Sequence, residues 1–128
     1  MKIVVAGIIR DRSGLVLLVR RGPEQSLGGY WEFPGGKLEV GETEQECLVR
    51  ELNGELSIDV KVGQCVAKND QNDSQGEFVL KAFETVIEKG EIILTVHDRF
   101  VWVEVANLLA YRLAPADIRI AQFLIIEN

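Results

Sequence analysis

The sequence predicts an α+β fold, an α/β/α sandwich on a mixed sheet. Three observations carry this. The segments follow the order β-β-β-α-β-β-β-α-α, with strands on both sides of one helix. Residues 44–56 carry apolar positions at helical spacing, and Pro115 opens a second helix. The other apolar runs are short, several alternate, and turn clusters bound them.

The elements follow in order. Residues 3–10 form an apolar strand, the Asp11–Gly14 cluster a turn, and residues 15–19 a second strand, so a hairpin is expected. Residues 22–29 read as a polar loop. Residues 30–33 form a short strand that Pro34-Gly35-Gly36 stops. Thr43 is placed to cap a helix, and Glu46 three residues on completes a capping box. Leu48, Leu52 and Leu56, with Val49 beside them, make the apolar stripe. Glu51 and Glu55 share another face. Residues 58–67 alternate as a strand, residues 68–76 read as a polar turn, and residues 78–87 as a strand. Lys89-Gly90 is a turn before a shorter strand at 91–96. Residues 100–105 alternate again, with Phe100 and Trp102 opposite Val101, Val103 and Val105. A short helix at 106–110 precedes the terminal helix at 115–126. Repeats, linkers and low-complexity segments are absent from the sequence.

Composition narrows the function classes. The length of 128 residues predicts one domain over residues 1–128, and 47% apolar with 27% charged content is ordinary for a folded protein. The net charge of −6 argues against loose electrostatic binding to nucleic acid, so no nucleic-acid partner is expected. It leaves room for a small polyphosphate, because a bound divalent metal inverts the local charge. No apolar run approaches a membrane span, and the first run is too soon charged for a signal peptide. Cys47 and Cys65 lack metal-type spacing and are expected to be reduced and buried, as in a cytoplasmic protein.

Hydrolysis of a nucleoside polyphosphate needs neutralised phosphates and an activated water, which Mg²⁺ held by hard oxygen ligands supplies. Glu51 and Glu55 can provide such ligands from one rigid helix face. Gly35-Gly36 lets backbone approach a ligand, so its carbonyls are further donors. Glu42 stands near the helix start, where the dipole favours a carboxylate. Each has a plainer reading. The Glu pair could be a solvated face, Arg50 a partner of Glu46, and Arg21 a solvated strand end. Asp117 could be a first-turn helix carboxylate and His97 a surface or strand-end residue.

Residues 36–58 resemble the Nudix box, G-x5-E-x7-R-E-U-x-E-E-x-G-U, where U is a bulky aliphatic residue. The whole chain is similar to Nudix hydrolases of the MutT and CTP-pyrophosphohydrolase type. The resemblance implies a Nudix fold and attack of water on an internal phosphorus. An NTP or dNTP, oxidised or non-standard forms included, would yield the NMP or dNMP plus pyrophosphate. Glu51, Glu55 and the Gly35 carbonyl would hold Mg²⁺, with Mn²⁺ as a substitute. Arg50 would orient a catalytic glutamate, Glu51 is also a candidate base, and Glu42 would support the inner ligands. Leu18-Val-Arg20-Arg21 resembles the strand whose last Arg contacts phosphate. Trp31-Glu32-Phe33-Pro34-Gly35-Gly36-Lys37 resembles the segment lining the nucleotide pocket. Leu113-Ala114-Pro115-Ala116-Asp117 resembles the motif whose Asp or Asn bonds the base, with cytosine and oxidised guanine both open.

The chain departs from the pattern at three places. Gly54 replaces a usual carboxylate and Ser57 a usual Gly. Val96 stands where relatives often place a Glu, six residues before Trp102, with Asp98 a substitute candidate. Reduced activity is therefore expected. A catalytically impaired module that binds a nucleotide as a sensor is the alternative, and a hydrolase of another diphosphate such as a nucleotide sugar a third. The sequence leaves monomer and homodimer open.

Overall fold

The computed structural model describes residues 2–74 and 76–127. Its strands are β1 (Lys2–Ile9), β2 (Val16–Arg21), β3 (Trp31–Glu32), β4 (Gly35–Lys37), β5 (Asp59–Asp73), β6 (Gly76–Lys89) and β7 (His97–Val103). The helices are α1 (Glu44–Leu56) and α2 (Pro115–Glu127), with a 3₁₀ turn at Val105–Ala110. One sheet has the order β4-β1-β6-β5 and the other β3-β2-β7. β1 lies parallel to β6 and antiparallel to β4, so the first sheet is mixed, as predicted.

Period-two alternation sorts β1 and β2 onto two cores. Val5, Ile9, Leu17 and Val19 pack with Leu48, Leu52 and Leu56 of α1. Ala6, Ile8, Val16 and Leu18 pack with Leu108 of the 3₁₀ turn and Ile120, Ala121 and Leu124 of α2. These two faces make the α/β/α sandwich. Each fully buried Leu contributes about 1.5–3 kcal/mol, so the α1 stripe anchors that helix. Val49 is the exception to the predicted stripe. It is exposed, and Cys47 takes the buried place beside the leucines.

The expected hairpin between the first two strands does not form. Asp11 does build the turn, its Oδ1 accepting from the Ser13 and Leu15 amides at 2.9 Å. The strands then part into different sheets, linked by one bridge between Arg10 and Val16. Both strands bury residues on both faces, so each takes a central place, β1 between β4 and β6, β2 between β3 and β7.

Three other segments correct the sequence reading. Gly35–Lys37 is a strand as well as a break, paired with Val4–Ala6. Residues 68–73 continue β5 along the sheet edge, where polar side chains suit a strand with one open side. The inward one, Asn69, donates to the Ala116 carbonyl at 2.9 Å. Residues 91–96 form no strand. Their amides instead bond the end of α1, Ile93 to the Leu56 carbonyl at 2.9 Å and Thr95 to that of Glu55 at 3.1 Å. Helix ends leave such carbonyls without intrahelical partners.

Both cysteines are free. Cys47 is buried, and burial followed by the nearby Glu42 pushes its thiol up to about 12. Cys65 is exposed, against expectation, because β5 is irregular there, with register shifts on both sides. Among the described residues no helix is long and apolar enough to cross a membrane.

Candidate active site

Thr43 caps α1, its hydroxyl accepting from the Glu46 amide at 3.0 Å while the Glu46 carboxylate accepts from the Thr43 amide at 2.8 Å. With Glu46 engaged there, Arg50 does not pair with it. Arg50 instead grips Glu42 through Nε at 3.1 Å and Nη2 at 2.7 Å. It also donates from Nη1 to Glu51 Oε1 at 2.7 Å. That bond holds Glu51 against β4, where a Cβ on Gly36 would overlap its carboxylate. Gly35 is the glycine that close approach requires, since a Cβ there would overlap the Val5 carbonyl and Ala6 backbone.

Glu55 lies one turn on and is half-buried. Burial first, then the charges of Glu51 and Glu32, push its carboxyl up to about 8, while the Gly35 amide opposes the shift. Its Oε1 is buried without a hydrogen-bond partner. A buried unpaired carboxylate oxygen beside a second carboxylate suits a divalent cation. Among the described residues no group of three or more His, Cys, Asp or Glu side chains could hold a metal. Any ion here would rest on two carboxylates and backbone.

The strand β3 organises the opposite wall. Trp31 donates to the Arg112 carbonyl and accepts from the Ala114 amide, both at 2.8 Å. This pairing brings the start of α2 to β3, and Asp117 Oδ2 accepts from the Phe33 amide at 2.8 Å. Asp117 is 6% exposed. Burial, then the charge of Glu32, push its carboxyl up to about 8, against the Phe33 amide and Arg21. Pro34 is buried, and its carbonyl accepts from the Gly7 amide at 2.8 Å.

These residues converge. A cleft of about 240 Å³ is lined by Arg21, Glu32, Phe33, Gly35, Glu55 and Asp117 among others. Glu42, Arg50 and Glu51 stand outside its lining and reach it through the α1 contacts above. Arg21 is engaged within the cleft wall, with Nη1 on Glu32 Oε1 at 2.9 Å and Nε on the Ser26 carbonyl at 2.6 Å.

Sequence reasoning missed one wall. His97 is a strand-end residue, the first of β7, but it is buried, lines the cleft, and places Nε2 2.9 Å from Glu32 Oε2. Val96 also lines the cleft, so the count back from Trp102 pointed to the right region. Asp98 is not a substitute ligand there. Ladder partners pass from Arg20↔Arg99 to Arg21↔His97, leaving Asp98 the extra residue of a bulge. Its carboxylate accepts from Arg20 at 2.8 and 3.0 Å. Bulges leave no mark in apolar periodicity, which hid both facts.

The model of the NUDIX domain matches residues 1–124. The chain belongs to the NUDIX family. It is 40% identical to the CTP pyrophosphohydrolase of Escherichia coli (strain K12) over 115 residues, 90% of this chain and 84% of that protein. It is 47% identical to the 8-oxo-dGTP diphosphatase of Proteus vulgaris over 57 residues, 44% of this chain and 51% of that protein. The solution structure of the E. coli ORF135 protein matches with a TM-score of 0.86 at 36% identity, covering 98% of this chain and 89% of that one. This Nudix chain is accordingly a hydrolase acting on phosphoric anhydride bonds of nucleotides.

Proposed function

We propose that this Nudix hydrolase is a Mg²⁺-dependent nucleoside triphosphate pyrophosphohydrolase. It converts an NTP or dNTP, including oxidised or non-standard forms, to the monophosphate and pyrophosphate. The observation that carries the reading is one cleft with a buried, unpartnered Glu55 oxygen at one side and the Asp117 carboxyl at the other. That polarity fits a triphosphate at the α1 end and a base at the α2 end.

Glu51, Glu55 and the Gly35 carbonyl would hold Mg²⁺, which neutralises phosphate charge and lowers the pKa of a water. Arg50 fixes the Glu51 carboxylate, leaving its second oxygen free of that bond. Glu42 anchors Arg50 in turn. Arg21 and Glu32 bind the middle of the substrate, with Arg21 exchanging its Ser26 contacts for phosphate oxygens. Phe33 and Pro34 shape the nucleoside end. Asp117 reads the base edge, as acceptor when ionised and as donor when protonated.

The test is release of pyrophosphate from a panel of NTPs, dNTPs and oxidised dNTPs with Mg²⁺ or Mn²⁺. Turnover that Glu55→Gln abolishes is expected; a panel without turnover removes the proposal. A second reading draws on Gly54 and Val96, which leave the cleft short of carboxylates: an impaired module that binds nucleotide without cleaving it. Calorimetry separates the two, because that module would bind tightly and release no pyrophosphate.

A further inference from the structure

His97 is the only histidine in the chain, and the reaction as outlined above gives it nothing to do. Its side chain is 2% exposed. It nevertheless lines the same cleft as Glu55 and Asp117. Glu32 divides its carboxylate between two partners, Arg21 on Oε1 and His97 Nε2 on Oε2, each at 2.9 Å. A carboxylate paired with a guanidinium only accepts hydrogen bonds, so Nε2 carries the proton. In the neutral ring Nδ1 is then a bare acceptor. Nδ1 is buried and has no partner. A desolvated lone pair without a donor is unfavourable, and native structures keep one where something fills it.

We propose that His97 is a specificity-determining residue whose Nδ1 accepts a hydrogen bond from an N–H or O–H donor of the bound nucleoside. This rests on the nucleotide reading of the cleft. The complement of that neutral ring is a donor. Phosphate oxygens accept at neutral pH and would set lone pair against lone pair. The remaining donors are an N–H of the base, exocyclic or in the ring, and a hydroxyl of the sugar. Glu32 orients the ring, much as a carboxylate fixes the tautomer of a metal-bound imidazole.

The single histidine makes the test direct. The full-length protein, labelled with ¹⁵N-histidine, is titrated with α,β-methylene analogues of the four ribonucleoside triphosphates and with the deoxy form of the tightest binder. The Nδ1 resonance is expected to shift with that ligand while Nε2 stays protonated. Loss of the shift with the deoxy form assigns the 2′-hydroxyl, and its persistence assigns a base N–H or the 3′-hydroxyl. Two substitutions separate contact from support. His97→Gln retains a donor to Glu32 but places no acceptor at the Nδ1 position, so affinity for that ligand should fall roughly three- to tenfold. His97→Asn places Oδ1 where Nδ1 stands and should keep the ligand preference. A nucleotide that binds without moving Nδ1, with His97→Gln showing wild-type preferences, overturns the inference and assigns the position to a buried water. Binding of none of the nucleotides overturns the nucleotide reading itself, and this inference with it.

Discussion

Gly54 stands three residues after Glu51, on the same face of α1. A Cβ built there meets nothing within 4 Å, so neither packing nor backbone demands a glycine. Its one effect on the fold is unfavourable, since glycine inside a helix costs about 0.5–1 kcal/mol relative to alanine. Two substitutions divide the consequences. Gly54→Ala should raise stability by about that amount in urea unfolding and leave turnover unchanged. Gly54→Glu adds a carboxylate beside Glu51 and should tighten Mg²⁺ binding and raise kcat/KM by about tenfold or more, since each 1.36 kcal/mol is about tenfold. Equal turnover in both variants would remove Gly54 as the cause of any deficit. Arg50 makes the converse case. It joins Glu42 to Glu51, so Arg50→Ala frees the Glu51 carboxylate, and kcat should drop by roughly 10- to 100-fold with little change in nucleotide affinity by calorimetry.

At the scale of elements, the two ends of α1 behave differently. The start was legible to the residue, because a capping box is a local pattern and Thr43 and Glu46 form it. The end carries a hidden strain. Ser57 has φ of 59°, in the left-handed region that favours glycine. Ser57→Gly should therefore stabilise the fold by about 1 kcal/mol, read as a rise in Tm of a few degrees. A fall in Tm would mean that the serine side chain supports the turn. What the sequence left obscure was everything set by partner choice at a distance. The tight turn at Asp11–Gly14 exists, yet it joins two sheets. The polar run at 68–73 is strand, because an edge strand tolerates polar side chains. Residues 91–96 look like a strand and serve as a cap, with Thr95 Oγ1 bonded to the Gly54 and Glu55 carbonyls at 2.9 and 3.2 Å. In the cleft, Glu55, Gly35 and Asp117 were legible from motif spacing, as was Glu51 beside it. His97 was not, since a lone histidine before a bulge has no periodic signature.

At the scale of the whole molecule, the cleft gathers residues from β1, β2, β3, β4, β6, β7, α1 and α2, and two of its carboxyl groups share one electrostatic consequence. Burial drives both Glu55 and Asp117 up to about 8, from ordinary values of 4.5 and 3.8. The folded protein thus holds protons that the unfolded chain has released at the same pH. Stability from these two groups is fully present below their unfolded values and is lost as pH rises through about 8. Glu42 acts oppositely, its carboxyl held down to about 2 by Arg50 and then by the Glu39 amide. Its contribution disappears only as pH falls from 4.5 toward 2, outside that window. Melting in EDTA should therefore show Tm declining from pH 5 to pH 8.5, and Glu55→Gln or Asp117→Asn should each flatten the decline. A flat or rising Tm, unaltered by either substitution, would mean that the two carboxyls ionise normally. Divalent cation binding must displace the Glu55 proton, so Mg²⁺ should bind more tightly and stabilise more at pH 8 than at pH 6. Asp117→Asn should leave that metal response intact and Glu55→Gln should erase it, because only one of the two buried carboxyls lies at the α1 end of the cleft.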